Sequence, residues 1–133
     1  LSLVGSEMCI RDRSMLVAVL HRHGNILVGD QDIFVNVVGG VKIMDTSADM
    51  ALILSIISSF RDKPMPRNLV VFGEVGLSGE IRPVSNGQER LREAVKHGFT
   101  QAIIPSANIP KKPIQGLKVI GVKKISEALQ ALF

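Results

Sequence analysis

The sequence predicts a single mixed α/β domain, and three observations carry that prediction. Apolar periodicity switches along the chain between a helical repeat and strand-like alternation. Glycine and proline cluster between those segments rather than inside them. The 133 residues, 46% hydrophobic and 21% charged, are enough for one buried core and too apolar for a disordered chain.

Residues 1–13, LSLVGSEMCIRDR, have no clean period. Glu7, Arg11, Asp12 and Arg13 interrupt any signal-peptide core, and the segment reads as a non-native leader of the sequencing-adapter type. It is expected to contribute nothing to the fold, leaving 14–133 as the domain. Its charges cancel, so the net charge of +4 belongs to the rest of the chain.

From Ser14 the pattern becomes regular. Met15, Leu16, Val19 and Leu20 recur at helical spacing, and His21-Arg22-His23-Gly24 closes that helix. Ile26 to Val28 reads as a short strand, Asp32 to Val38 as an alternating β-branched one, and Val41-Lys42-Ile43 as its continuation after Gly39-Gly40. Thr46 and Asp49 have the spacing of a capping box, which opens a helix through about Arg61. That helix is apolar on almost every side, from Met50 to Phe60, and so belongs in the middle of a domain. Pro64 and Pro66 enforce a loop.

Leu69 to Phe72 reads as a buried strand, Gly76-Leu77-Ser78-Gly79 as a turn, and Glu80 to Val84 as the next strand. Ser85 and Gln88 suggest a second capping box, opening an amphipathic helix that buries Leu91, Ala94 and Val95 and ends at His97-Gly98. Gln101 to Ile104 is a strand stopped by Pro105, and 105–116 a surface loop. Lys118 to Val122 is the last strand, and Ile125 to Phe133 the last helix.

Composition removes several function classes. The single Cys9 excludes a disulfide framework and a multi-cysteine zinc site within this chain, and fits a reducing, cytoplasmic setting. His21 and His23 are two apart and diverge on a helix, while His97 is explained as a cation at a helix C-terminus. Trp and Tyr are absent, so base-stacking platforms are scarce. The glycines of GEVGLSGE lack the lysine and the strand-to-helix context of a phosphate-binding loop, so no ATP hydrolysis is expected. The longest apolar run, Met50 to Phe60, is too short to span a bilayer.

The runs QDIFVNVVGGVKI (31–43), TSADMAL (46–52), LVVFGEVGLSGEIRPV (69–84), NGQERLREAVKHGF (86–99) and IIPSAN (103–108) resemble the C-terminal region of the RadA (Sms) family of bacterial DNA recombination and repair proteins. The resemblance covers nearly all of 14–133. It implies the fold of the Lon proteolytic domain, related to the second domain of a small-subunit ribosomal protein. By that resemblance the chain is a non-proteolytic scaffold and DNA-binding domain of an ATP-dependent branch-migration helicase. ATP, magnesium and zinc would belong to N-terminal domains. Single-stranded DNA, recombination intermediates, other copies in a hexameric ring and a RecA-like recombinase would be the partners, in the bacterial cytoplasm at the nucleoid.

Lon-type peptidases pair a serine with a lysine. Ser47 falls at the serine position and Gln88 at the lysine position. A carboxamide has no basic nitrogen to take a hydroxyl proton, so the dyad is predicted inactive. What remains is basic surface. Gln88, Arg92 and Lys96, spaced by four, line one helix stripe, and Arg82 precedes it. Arg82, Arg92 and Lys96, with Lys42, Lys111 and Lys112, are the candidates for DNA phosphates, with Lys123-Lys124 a further charged spot. Two other readings remain at this stage, a Lon-like Ser/Lys peptidase and a purely structural oligomerisation module.

Overall fold

The computed structural model describes residues 46–133. The leader, the helix expected from Met15, the strands expected between Ile26 and Ile43, and Lys42 lie outside the described residues.

A single 3-10 turn, Thr46–Ala48, leads into helix α1, Asp49–Arg61. The capping box expected here does not form. The N-cap is Ala48, in an αR conformation with no side-chain cap bond. Thr46 is already wound into the 3-10 turn, so it lacks the extended backbone that a cap residue uses. Asp49 turns instead to the neighbouring segment, where its Oδ2 accepts the Val75 N–H at 3.4 Å. The helix stops at Asp62, which adopts a left-handed conformation (φ 53°) and donates its N–H to the carbonyls of Ser58 and Ser59.

As the all-round apolar pattern requires, Met50, Leu52, Ile53, Leu54, Ile56 and Ile57 are buried. Phe60 departs from the expectation, with 52% of its surface exposed at the helix end.

Three strands form a parallel sheet in the order β1 (Leu69–Val71), β4 (Gln101–Pro105), β5 (Lys118–Val122). The register pairs Val70 with Ala102 and Ile103 with Ile120. Between β1 and β4 come a small antiparallel hairpin, β2 (Glu74–Val75) and β3 (Ile81–Arg82), and helix α2 (Gly87–Lys96). Gly79, at φ 81°, supplies the hairpin turn in GLSG and donates its N–H to the Gly76 carbonyl. Helix α3, Ile125–Leu132, closes the chain. β4 runs one residue further than expected, because Pro105 still pairs with Val122. At the last rung its missing N–H leaves no gap inside the ladder.

Parallel sheets are stable when covered on both faces, and alternation along β4 shows how this one is covered. Ile103 packs with α1, α3, Val75 and Ile81. Ala102 and Ile104 point the other way and pack with Phe72 and Leu91. The described residues thus make three layers, with α2 alone among their α-helices on the second face.

Candidate nucleic-acid interface

Helix α2 carries Gln88, Arg92 and Lys96 of the sequence-predicted site. Its inner face buries Leu91 and Ala94, whereas Val95 is only half-buried. Its outer face exposes Gln88, Arg92 and Lys96 in the expected stripe. The second expected capping box is also absent. The N-cap is Asn86 rather than Ser85, in a left-handed conformation (φ 60°) and without a side-chain cap bond.

The start of α2 is tied instead to the loop after β4. A 3-10 turn, Ser106–Asn108, ends on an asparagine whose amide faces the backbone of Val84. Val84 N–H donates to Asn108 Oδ1 at 2.9 Å, and Asn108 Nδ2 donates to the Val84 carbonyl at 2.9 Å. The side chain thereby imitates a neighbouring strand, which exchanges the same pair of bonds. Gly87 is the space this clamp needs. A Cβ there would lie 2.7 Å from Asn108 Nδ2.

The clamp places the loop beside the helix. A shallow depression of about 440 Å³ has Gln88 and Arg92 on the helix side and Lys111 and Ile109 on the loop side. Asn86, Asn108 and the Glu89 carboxylate add polar groups to its lining. Two cations and several amides, set against the single Glu89 carboxylate, can engage a phosphodiester backbone without reading bases. Arg92 and Lys111 make no ion pair among the described residues, so their charge faces solvent.

The other candidates are placed differently. Arg82 lies in the β2–β3 hairpin, where its Nη2 is 2.8 Å from Glu80 Oε1 and its Nη1 is 3.8 Å from Glu74 Oε1. Its charge is largely answered within the hairpin. The Glu80 carboxyl is held below its ordinary range, first by its own backbone N–H and then by the hydrogen bond from Arg82, against an opposing effect of desolvation, with further contributions from the Arg82 charge and the Ser78 N–H. Lys96 is 3.8 Å from Glu93. Lys112, Lys123 and Lys124 are exposed, and Lys112 is outside the depression that Lys111 lines.

Ser47 is buried, at 6% exposure, in the 3-10 turn before α1. Its carbonyl accepts the Gly73 N–H at 2.8 Å, and the Gly73 carbonyl accepts the Met50 N–H at 3.0 Å. Gln88 is exposed at the rim of a depression whose lining does not include Ser47.

Sequence reasoning missed Asn108 and Gly87 as the residues that build this site. They meet Val84 and each other only in three dimensions, and no local pattern marks that. No group of three or more metal-ligating side chains occurs among the described residues. No helix among them is long and apolar enough to cross a membrane.

Comparison with known proteins agrees with the resemblance. Residues 1–108 match the model of a family described as subunit ChlI of Mg-chelatase. The DNA repair protein RadA of Salmonella typhimurium is 65% identical over 116 residues, and that of Escherichia coli 64%. RadA of Aquifex aeolicus is 42% identical over 120 residues. These matches cover 87–90% of the chain but only 25–27% of each relative, so the chain spans about a quarter of the proteins it matches. The chain belongs to the family described as subunit ChlI of Mg-chelatase, and along most of its length it is similar to RadA DNA repair proteins.

Proposed function

We propose that this chain is a non-proteolytic scaffold and DNA-contacting domain of a larger repair protein. The observation that carries the reading is the 65% identity to a protein named for DNA repair. The depression at the start of α2, with Arg92 and Lys111 on facing sides, supports it by offering cations where a phosphate backbone could lie. In this reading the whole protein is an ATP-dependent branch-migration helicase. Its ATP, magnesium and zinc sites are in other domains, and it works as a ring on single-stranded DNA together with a RecA-like recombinase. The domain fold is that of the Lon proteolytic domain, which the mixed α/β layering accommodates.

The test is the salt dependence of single-strand affinity. Each phosphate contact contributes about −0.7 to the slope of log affinity against log salt on single strands. Replacing Arg92 and Lys111 together by Gln is expected to flatten that slope by about 1.4. The loss should be similar for all base sequences, since phosphate contacts carry no base information. An unchanged slope with unchanged affinity rejects this surface.

The peptidase alternative is tested at Ser47. With Gln88 in place of a lysine and Ser47 buried, a serine-reactive phosphonate should leave Ser47 unmodified and casein uncut. A stoichiometric adduct on Ser47 would restore the enzyme reading.

A further inference from the structure

Helix α2 separates charge along its length. Gln88, Arg92 and Lys96 form one stripe, and Glu89, Glu93 and His97 form the next, each spaced by four. Glu89 and Glu93 of the second stripe border a groove of about 510 Å³ on the Val70 and Phe99 side of the helix, and Glu89 stands between this groove and the depression that Lys111 lines. Val70, Ala94 and Phe99 contribute its apolar surface, and Glu89 and Glu93 its acidic rim. Glu93 is already engaged by Lys96 at 3.8 Å and by His97 at 3.2 Å. Glu89 makes no ion pair among the described residues. Arg90 also borders the groove, but its Nε donates to the Ser85 carbonyl at 3.1 Å and its guanidinium stacks 5.9 Å over Phe72.

The opposite side of the same helix offers the complement. The loop after β4 presents Ile109, with 50% of its surface exposed, followed by Pro110 and the adjacent cations Lys111 and Lys112. Lys111 is turned into the depression, which leaves Lys112 as the outward charge. An apolar side chain followed by a cation matches an apolar groove with a carboxylate rim.

We propose that the groove receives the 109–112 loop of a second copy of this chain, with Ile109 against Val70 and Phe99 and Lys112 beside Glu89. Groove and loop are different surfaces of one molecule, so the contact is head-to-tail and repeats from copy to copy. The inference builds on the self-assembly part of the proposed function and names the surface that performs it. It does not depend on DNA. The two readings fail separately, because assembly is measured without nucleic acid and the salt slope is measured at Arg92 and Lys111.

The experiment is charge reversal with exchange, using the full chain and sedimentation velocity over a wide range of protein concentration. Wild-type chain should self-associate. Glu89→Lys alone and Lys112→Glu alone should each weaken association on the order of tenfold or more, since like charges then meet across the contact. An equimolar mixture of the two variants should associate again, because each groove then finds a loop of opposite charge. Circular dichroism of both variants should match wild type, as both positions are exposed. A wild-type chain that stays monomeric up to millimolar concentration overturns the proposal. So does association that survives both reversals, or a mixture no better than its components.

Discussion

Leu91→Ala is expected to destabilise the chain by about 2–5 kcal/mol, the range for a truncated, fully buried leucine. Leu91 is 0% exposed, and with Ala94 it supplies the buried apolar surface that fixes α2 to Ala102 and Ile104 of the sheet. Ala94 has little to offer in its absence, and Val95 is only half-buried. The cavity therefore opens under the helix that carries Gln88, Arg92 and Lys96. Against a typical domain stability of about 5–15 kcal/mol, the loss is a large fraction. Denaturant melts followed by circular dichroism check it, with Arg92→Ala as a surface control expected within about 0.5 kcal/mol. A cost for Leu91→Ala below about 1 kcal/mol would mean that α2 is held by something other than this contact.

Gly87→Ala is expected to cost about 1–3 kcal/mol, the net worth of the two part-buried hydrogen bonds that it would displace. Its Cβ would lie 2.7, 3.1 and 3.2 Å from Nδ2, Cγ and Cβ of Asn108. The asparagine cannot yield at its tip alone, because both ends of its amide are bonded to Val84. Asn108→Ala should cost a similar amount by removing the bonds directly. The two changes share one mechanism, so they should not add. In the Asn108→Ala background, Gly87→Ala should be close to neutral, since the new methyl then enters emptied space. A double-mutant cycle on thermal or urea stability gives the answer, and strict additivity would show that the clamp and the glycine act independently. The single variants should also weaken single-strand binding, because the loop bearing Lys111 loses its anchor beside Arg92.

The architecture was legible wherever the signal was periodic. The apolar run from Met50 to Ile57 predicts a central helix, and the structure buries it. Lys118 to Val122 and the GLSG turn appear where alternation and glycine placed them. Helix starts were read less well. Thr46 with Asp49, and Ser85 with Gln88, have the spacing of capping boxes, yet neither forms one. A 3-10 turn overrides the first. At the second, Asn86 takes a left-handed backbone while the Asn108 clamp holds the preceding Val84. Local spacing registers neither influence. The stripe on α2 was visible in the sequence, but its pairing with Lys111 was not, because a contact between a helix and a loop after the next strand leaves no local trace. Arg82 shows the converse limit. Its charge is plain in the sequence, whereas its commitment to Glu80 and Glu74 is a property of the folded hairpin.

The parallel pairing of β4 has a consequence for how the chain folds. Its rungs join Leu69 to Gln101 and Gln101 to Lys118, so each closes a long loop before any rung rewards it. The β2–β3 hairpin joins Val75 to Ile81 and closes a short one. Hairpin and helices can therefore form on the timescale of local events, about microseconds, while the sheet waits. During synthesis β4 emerges before β5 exists, and Ile103 and Ile104 are then apolar strand residues with one rank of partners missing. A cut before Lys118 would make that interval permanent, so removal of the last sixteen residues is a route to aggregation rather than to a smaller soluble domain.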